Sequence, residues 1–172
     1  MRLTGAWIEA AHVQRVLAML EAGVHLAFLV GGCVRNAALG TSVSDIDIST
    51  DARPEQVVAL AEAAGLRAVP TGIEHGTVTV IADHEPHEIT TFRRDIETFG
   101  RHATVAFSTR IEEDAARRDF TMNALYARAD GTVLDPLGEG LADPNGVALA
   151  GLEPGTMQIL EPGEDIKFSQ PA

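Results

Sequence analysis

Residues 29–50 read LVGGCVRNAALGTSVSDIDIST. A short apolar run meets a Gly-Gly pair, an arginine follows, and Leu39-Gly40 ends the segment. Two aspartates one residue apart then sit inside a second apolar run. In a β-strand residues i and i+2 share a face. A strand over SVSDIDIST therefore aims Asp45 and Asp47 together and sends Ile46 and Ile48 into the core. Two carboxylates held so close repel unless a cation lies between them. A hard divalent ion with oxygen ligands, such as Mg²⁺, resolves that conflict. Such an ion also holds nucleotide phosphates and activates an attacking oxygen. The same pattern also fits an exposed edge strand carrying two solvated aspartates.

Three further features bear on that choice. Gly31 and Gly32 follow a predicted strand (25–30) and open a predicted helix (33–39), so backbone N–H groups there can approach an anion without side-chain clash. Arg35, one turn into the helix, is within reach of a triphosphate; a plain tight connection is the alternative. Glu88, in HEITTFR, alternates with Thr90, and it completes a metal site if its strand lies beside that of the aspartates. In RRDFTMNAL (117–125), Arg117 and Arg118 precede Asp119, and on a continuous helix Asp119 and Asn123 share a face. There the arginines contact phosphate or sugar with Asp119 orienting one of them, or the segment is a helix with surface salt bridges.

The rest of the chain supplies the scaffold. Helical spacing runs from Thr4 to Glu21, with Gly23 as its stop. A helix over 54–64 begins with Asp51 as its cap and ends at Gly65. Strands are expected at LRAVP, GTVTVIA and HEITTFR, the last two joined by the turn-like DHEP. Residues 94–111 read as a long loop, a kind of segment that is often functional. IEEDAARRDFTMNALYAR starts as a helix and turns to strand near Leu125, and GTVLDPLG is a strand and turn. With about five strands before residue 135 the class is α+β or α/β.

The chain has 172 residues, of which 45% are apolar and 22% charged, an ordinary soluble-domain composition. No apolar run is long enough to span a membrane, and no secretory signal is evident. The single cysteine, Cys33, excludes an internal disulfide and a cysteine-based zinc site. These features predict a cytoplasmic protein. The net charge of -12 argues against a wide phosphate-gripping surface, although arginines cluster between Arg93 and Arg118. Oligomeric state is not legible.

LVGGCVRNAAL, SDIDIST, EITTFR and RRDFTMNAL, in this order, resemble the head domain of class II tRNA nucleotidyltransferases. That group holds the CCA-adding enzymes and bacterial poly(A) polymerases, within the polymerase-β-like superfamily. The resemblance runs from about residue 10 to 142 and implies an α+β head, a small mixed sheet flanked by helices. It implies catalytic Asp45, Asp47 and Glu88, with Asp45 and Asp47 binding Mg²⁺. It places Gly31, Gly32, Arg35, Arg117, Arg118, Asp119 and Asn123 at the nucleotide. The implied reaction is attack of an RNA 3′-hydroxyl, that of a tRNA 3′ end, on the α-phosphate of CTP or ATP.

Where the family usually has Asp after the arginine of the glycine motif, this chain has Asn36. After residue 142 no helical neck follows; 143–172 read as a separate tail, faintly similar to a segment of phage portal proteins. The expectation is a head domain at 1–142, truncated and impaired in base selection and tRNA binding. A poly(A) polymerase head, a non-catalytic nucleotide-binding remnant and an assembly role carried by the tail are the alternatives.

Overall fold

A computed structural model of the protein describes residues 2–96, 104–118 and 120–138. Helix α1 (Ala6–Glu9) and helix α2 (Ala11–Ala22) occupy the region predicted as one helix. Ala10 divides them because its backbone is extended, with φ -56° and ψ 135°. Then come β1 (Ala27–Val30), α3 (Gly32–Ala38), β2 (Asp47–Thr50), α4 (Pro54–Ala63), β3 (Arg67–Gly72), β4 (Thr77–Ala82) and β5 (Glu85–Thr91). The chain continues through β6 (Arg93–Ile96), β7 (Thr104–Phe107), α5 (Ile111–Ala116), a 3₁₀ turn (Thr121–Ala124), β8 (Tyr126–Ala127) and β9 (Val133–Leu134).

Seven strands form a mixed sheet in the order β3-β4-β5-β2-β1-β8-β9, with β2 and β5 parallel and the other neighbours antiparallel. The α+β expectation holds. The β4–β5 hairpin closes through Asp83 and His84, both at positive φ (50° and 65°), which suits a tight two-residue connection between twisted strands.

The alternation of side chains splits the sheet into two environments. Ile48, Ile89, Val78 and Val80 are buried on one face, packed with Val13, Val16, Leu17 and Leu20 of α2 and Val57 and Ala61 of α4. On the other face Phe28, Val30, Phe92, Ala115, Ala124 and Tyr126 form a smaller core. Phe28 stacks on Phe92 at 6.3 Å between centroids and meets Tyr126 edge-on at 6.1 Å. That smaller core covers only part of its face, and the uncovered part holds the polar side chains of β2, β4 and β5.

Four local expectations are corrected. The aspartate strand begins at Asp47, so Asp45 lies in the extended segment before it rather than in the strand. Asp51 does not cap α4. The N-cap is Arg53, whose N–H donates to Gln56 Oε1 at 2.9 Å, while Asp51 Oδ1 accepts the Leu26 N–H at 2.8 Å. The segment read as a loop over 94–111 contains strands β6 and β7, paired antiparallel; its mixed charge hid the alternation. Helix α5 stops at Ala116, and Asn123 lies in the 3₁₀ turn Thr121–Ala124 rather than on that helix. The expected separate tail, 143–172, lies outside the described residues. Among the described residues no helix is long and apolar enough to cross a membrane.

Candidate active site

The central strands build the acidic side of a cleft. Val30 of β1 pairs with Asp47 of β2, Asp47 pairs with Glu88 of β5, and Glu88 pairs with Thr79 of β4. Cross-strand partners share a face, so Asp47 and Glu88 stand side by side although they are far apart in sequence. Two residues along, Ser49 pairs with Thr90 and Thr90 with Thr77 on the same face, and the Thr77 and Thr90 hydroxyls lie 3.0 Å apart. Burial, then repulsion by Glu88 and by Asp45, pushes the Asp47 carboxyl above its usual range, and Arg118 partly offsets this.

The basic side comes from loop and helix ends. A cavity of about 270 Å³ is bounded by Gly31, Asp47, Ser49, Glu88, Arg93 and Arg118, among others. Gly31 has φ 75°, a conformation that a side chain rarely adopts, and a Cβ there would stand 4.0 Å from Arg118 Nη1. Glycine thus turns the chain sharply from β1 into α3 at the rim of the cavity. Arg118 is held by Asp114, with Nη2 to Oδ2 at 3.1 Å, and by the Tyr126 hydroxyl, with Nε to O at 3.3 Å. Burial acts to lower the pKa of Arg118, but Tyr126 and Asp114 outweigh it and hold the guanidinium charged. Arg93 is half-buried. Burial first, then the neighbouring Arg117 and Arg118, lowers its pKa, and an anion in the cleft would act in the opposite direction.

The predicted residues do not all converge. Gly31, Asp47, Glu88 and Arg118 border the main cavity; Asp45 does not line it, but joins Asp47 in bordering a second hollow with Gly32, Arg35 and Asn36 and a third with Glu88. Arg35 is engaged: its Nη1 donates to Asn123 Oδ1 at 2.8 Å and its Nε to Asn36 Oδ1 at 3.1 Å. Asn36 in turn donates through Nδ2 to the Ser42 carbonyl at 3.3 Å. An amide serves there because it supplies an acceptor and a donor at once. Arg117 is directed to Asp95, 3.5 Å away, and does not line the cavity. Asp119 lies outside the described residues.

Arg93, Asp114 and Tyr126 were not singled out in the sequence as site residues. Asp114 had a local signal, since it lies four residues before Arg118. Arg93 had only its place in the arginine cluster, and Tyr126 had no signal, because strand pairing across the sheet is what brings it against Arg118.

The donor set suits a hard divalent cation. Asp45, Asp47 and Glu88 offer only carboxylate oxygens, and the Asp47 carboxyl, raised by burial first and then by its acidic neighbours, is one that a bound cation would help keep ionised. Among the described residues no three acidic, histidine or cysteine side chains are gathered closely enough to hold a metal ion by themselves. Magnesium tolerates such an open set, since it keeps waters and takes substrate phosphates as ligands.

Comparison with known proteins identifies the family and the fold. Residues 27–147 match the family described as "Poly A polymerase head domain". The CCA-adding enzyme of Bacillus cytotoxicus is 45% identical over 125 residues, covering 72% of this chain and 30% of that protein. The CCA-adding enzyme of Latilactobacillus sakei is 41% identical over 145 residues, covering 83% of this chain and 35% of that protein. The crystal structure of the Bacillus stearothermophilus CCA-adding enzyme in complex with CTP aligns with a TM-score of 0.65 at 37% identity, over 75% of this chain and 30% of that one. The chain therefore spans about a third of the length of the curated relatives it matches.

Proposed function

This chain belongs to the poly A polymerase head domain family, and from that premise we propose that it is the catalytic head of a tRNA nucleotidyltransferase that adds CMP and AMP to a tRNA 3′ end. The observation that carries the proposal is the two-signed cleft. Asp47 and Glu88 pair across β2 and β5 on one side, and Arg93 and Arg118 stand on the other. A nucleoside triphosphate bound to a divalent ion has the matching charge distribution. The CCA-adding relatives, and the solved one in complex with CTP, favour CCA addition over poly(A) addition.

In this reading Arg118 and Arg93 take the triphosphate oxygens, and the turn at Gly31 lets backbone come close to them. Asp45 and Asp47 would hold Mg²⁺, which when bound lowers the pKa of the attacking hydroxyl and offsets charge at the α-phosphate. Glu88 stands beside Asp47 as the third carboxylate. Arg35 and Asn123 brace the start of α3 against the 3₁₀ turn and thereby shape the second hollow. Base selection and most of the tRNA grip would reside in regions beyond the head, whose boundary we place near residue 142. The protein would work in the cytoplasm with its nucleotide and tRNA substrates.

The test is incorporation of labelled CTP or ATP into tRNA lacking its 3′ end, with Mg²⁺, by the parent and by an Asp45→Ala, Asp47→Ala double variant. Label incorporated by the parent alone supports the proposal. If neither protein incorporates label and calorimetry detects no Mg²⁺-dependent ATP binding by the parent, the site assignment is wrong.

A further inference from the structure

We propose that Asp114 and Tyr126 are positioning residues for Arg118: they fasten the Nε and Nη2 edge of its guanidinium and leave Nη1 at the glycine turn to take a phosphate oxygen of the nucleotide. The proposal rests on the nucleotidyl-transfer reading of the same cleft.

The geometry divides the guanidinium cleanly. Asp114 is buried, and its Oδ2 accepts both Arg118 Nη2 at 3.1 Å and the Tyr126 hydroxyl at 2.6 Å. The Tyr126 oxygen accepts Arg118 Nε at 3.3 Å, and the guanidinium carbon stands 5.6 Å from the centre of the tyrosine ring. The carboxylate cannot swing freely, because Oδ1 accepts the Arg93 backbone N–H at 3.0 Å. Among the described residues, Nη1 has no hydrogen-bond partner of its own and faces the turn at Gly31.

Register explains why Tyr126 can do this. Tyr126 of β8 pairs with Val30 of β1, and Val30 with Asp47 of β2. Tyr126, Val30, Asp47 and Glu88 thus follow one line across the sheet, with the arginine anchored at one end and the carboxylates at the other. A free arginine side chain spreads over many rotamers, and ordering it on binding costs free energy. Holding the guanidinium in place beforehand removes that cost and fixes which N–H edge meets the ligand.

The experiment measures binding of Mg²⁺-ATP and Mg²⁺-CTP to the full chain by calorimetry, for the parent, Tyr126→Phe, Arg118→Ala and the double variant. Tyr126→Phe should weaken binding roughly threefold to tenfold, the span expected for one net hydrogen bond. On the Arg118→Ala background it should cost nothing further, because its effect passes through Arg118. Equal losses on both backgrounds, or no loss in the single variant, overturn the positioning role while leaving the nucleotide site intact. A parent that binds neither nucleotide overturns the site and this inference together.

A second readout needs no nucleotide. Tyr126 is the one tyrosine in the chain, so its ionisation is read directly by ultraviolet absorbance. Burial, then the charge of Asp114, raises its pKa. At about pH 11, where an ordinary tyrosine is roughly 90% ionised, the folded parent should show little phenolate and folded Asp114→Asn clearly more. A parent tyrosine that ionises at the ordinary value shows that the contact is absent and overturns the proposal.

Discussion

The two faces of the central sheet are made by the same strands and do opposite things. On β2 and β5, Ile48 and Ile89 face α2 and α4 and are buried, while one residue away Asp47 and Glu88 face the cleft. The apolar face removes surface from water and holds the fold together. The polar face half-buries carboxylates and sets them close together, and burial first, then repulsion by Glu88 and Asp45, raises the Asp47 carboxyl. The cleft proposed to carry catalysis is placed at the expense of local stability, on a platform whose reverse side supplies that stability.

Substitutions on the two faces should separate activity from stability. The largest effect is expected from Asp47→Asn. Loss of several kcal/mol of transition-state stabilisation predicts that label incorporation into tRNA drops on the order of a hundredfold or more. The urea midpoint should hold or rise, since a repelled charge is gone. A variant that loses activity only by unfolding would erase the distinction between the faces. Next comes Ile89→Ala, directly beside Glu88 but pointing the other way. It should destabilise the protein by about 2–4 kcal/mol in urea titration, while nucleotide affinity of the folded fraction changes little.

Acidification sharpens the comparison because the faces respond with opposite sign. His87 lies on the core face of β5, its Nε2 2.8 Å from His12 Nδ1 and its Nδ1 3.2 Å from the Val80 carbonyl. Burial lowers its pKa, so the unfolded chain binds that proton more readily. Its stabilising contribution is present above the ordinary histidine value of about 6.5 and is lost as pH falls through the lower folded value. Asp47 behaves inversely. Its folded pKa is raised, so its contribution is present below the ordinary carboxyl range and is lost as pH rises through the folded value. The urea midpoint should therefore fall as pH drops from 7 to about 4, the ordinary carboxyl value, and fall more steeply in Asp47→Asn; an unchanged slope over that whole range would remove Asp47 from the balance. The smallest effect is expected for Thr79→Val at the edge of the polar face. Its hydroxyl lies 2.8 Å from that of Thr71, an exposed contact worth less than about 1 kcal/mol. A larger shift in the urea midpoint would show that this face contributes more to stability than its chemistry suggests.

Much of the site was legible locally. The i, i+2 spacing of Asp45 and Asp47, the Gly31-Gly32 turn into a short helix, and the alternation of Glu88 with Thr90 all belong to short windows. The carboxylate that holds Arg118 was not: Asp114 lies on α5, outside the RRDFTMNAL stretch that drew attention. Nor was the destination of Arg117, which turns to Asp95 on a strand read as loop.

The sequence alone determined most of the elements and the buried face of the central strands, because side-chain periodicity, glycine turns and proline-led helix starts act over a few residues. It also carried the motif order that identifies the family. Tertiary structure alone decided that β5 runs parallel beside β2 and sets Glu88 opposite Asp47. It likewise decided that β8 returns beside β1, so that Tyr126 and Asp114 meet Arg118. Strand pairing is a long-range choice, settled by burial of both faces of the whole sheet, and no short stretch of chain contains that information.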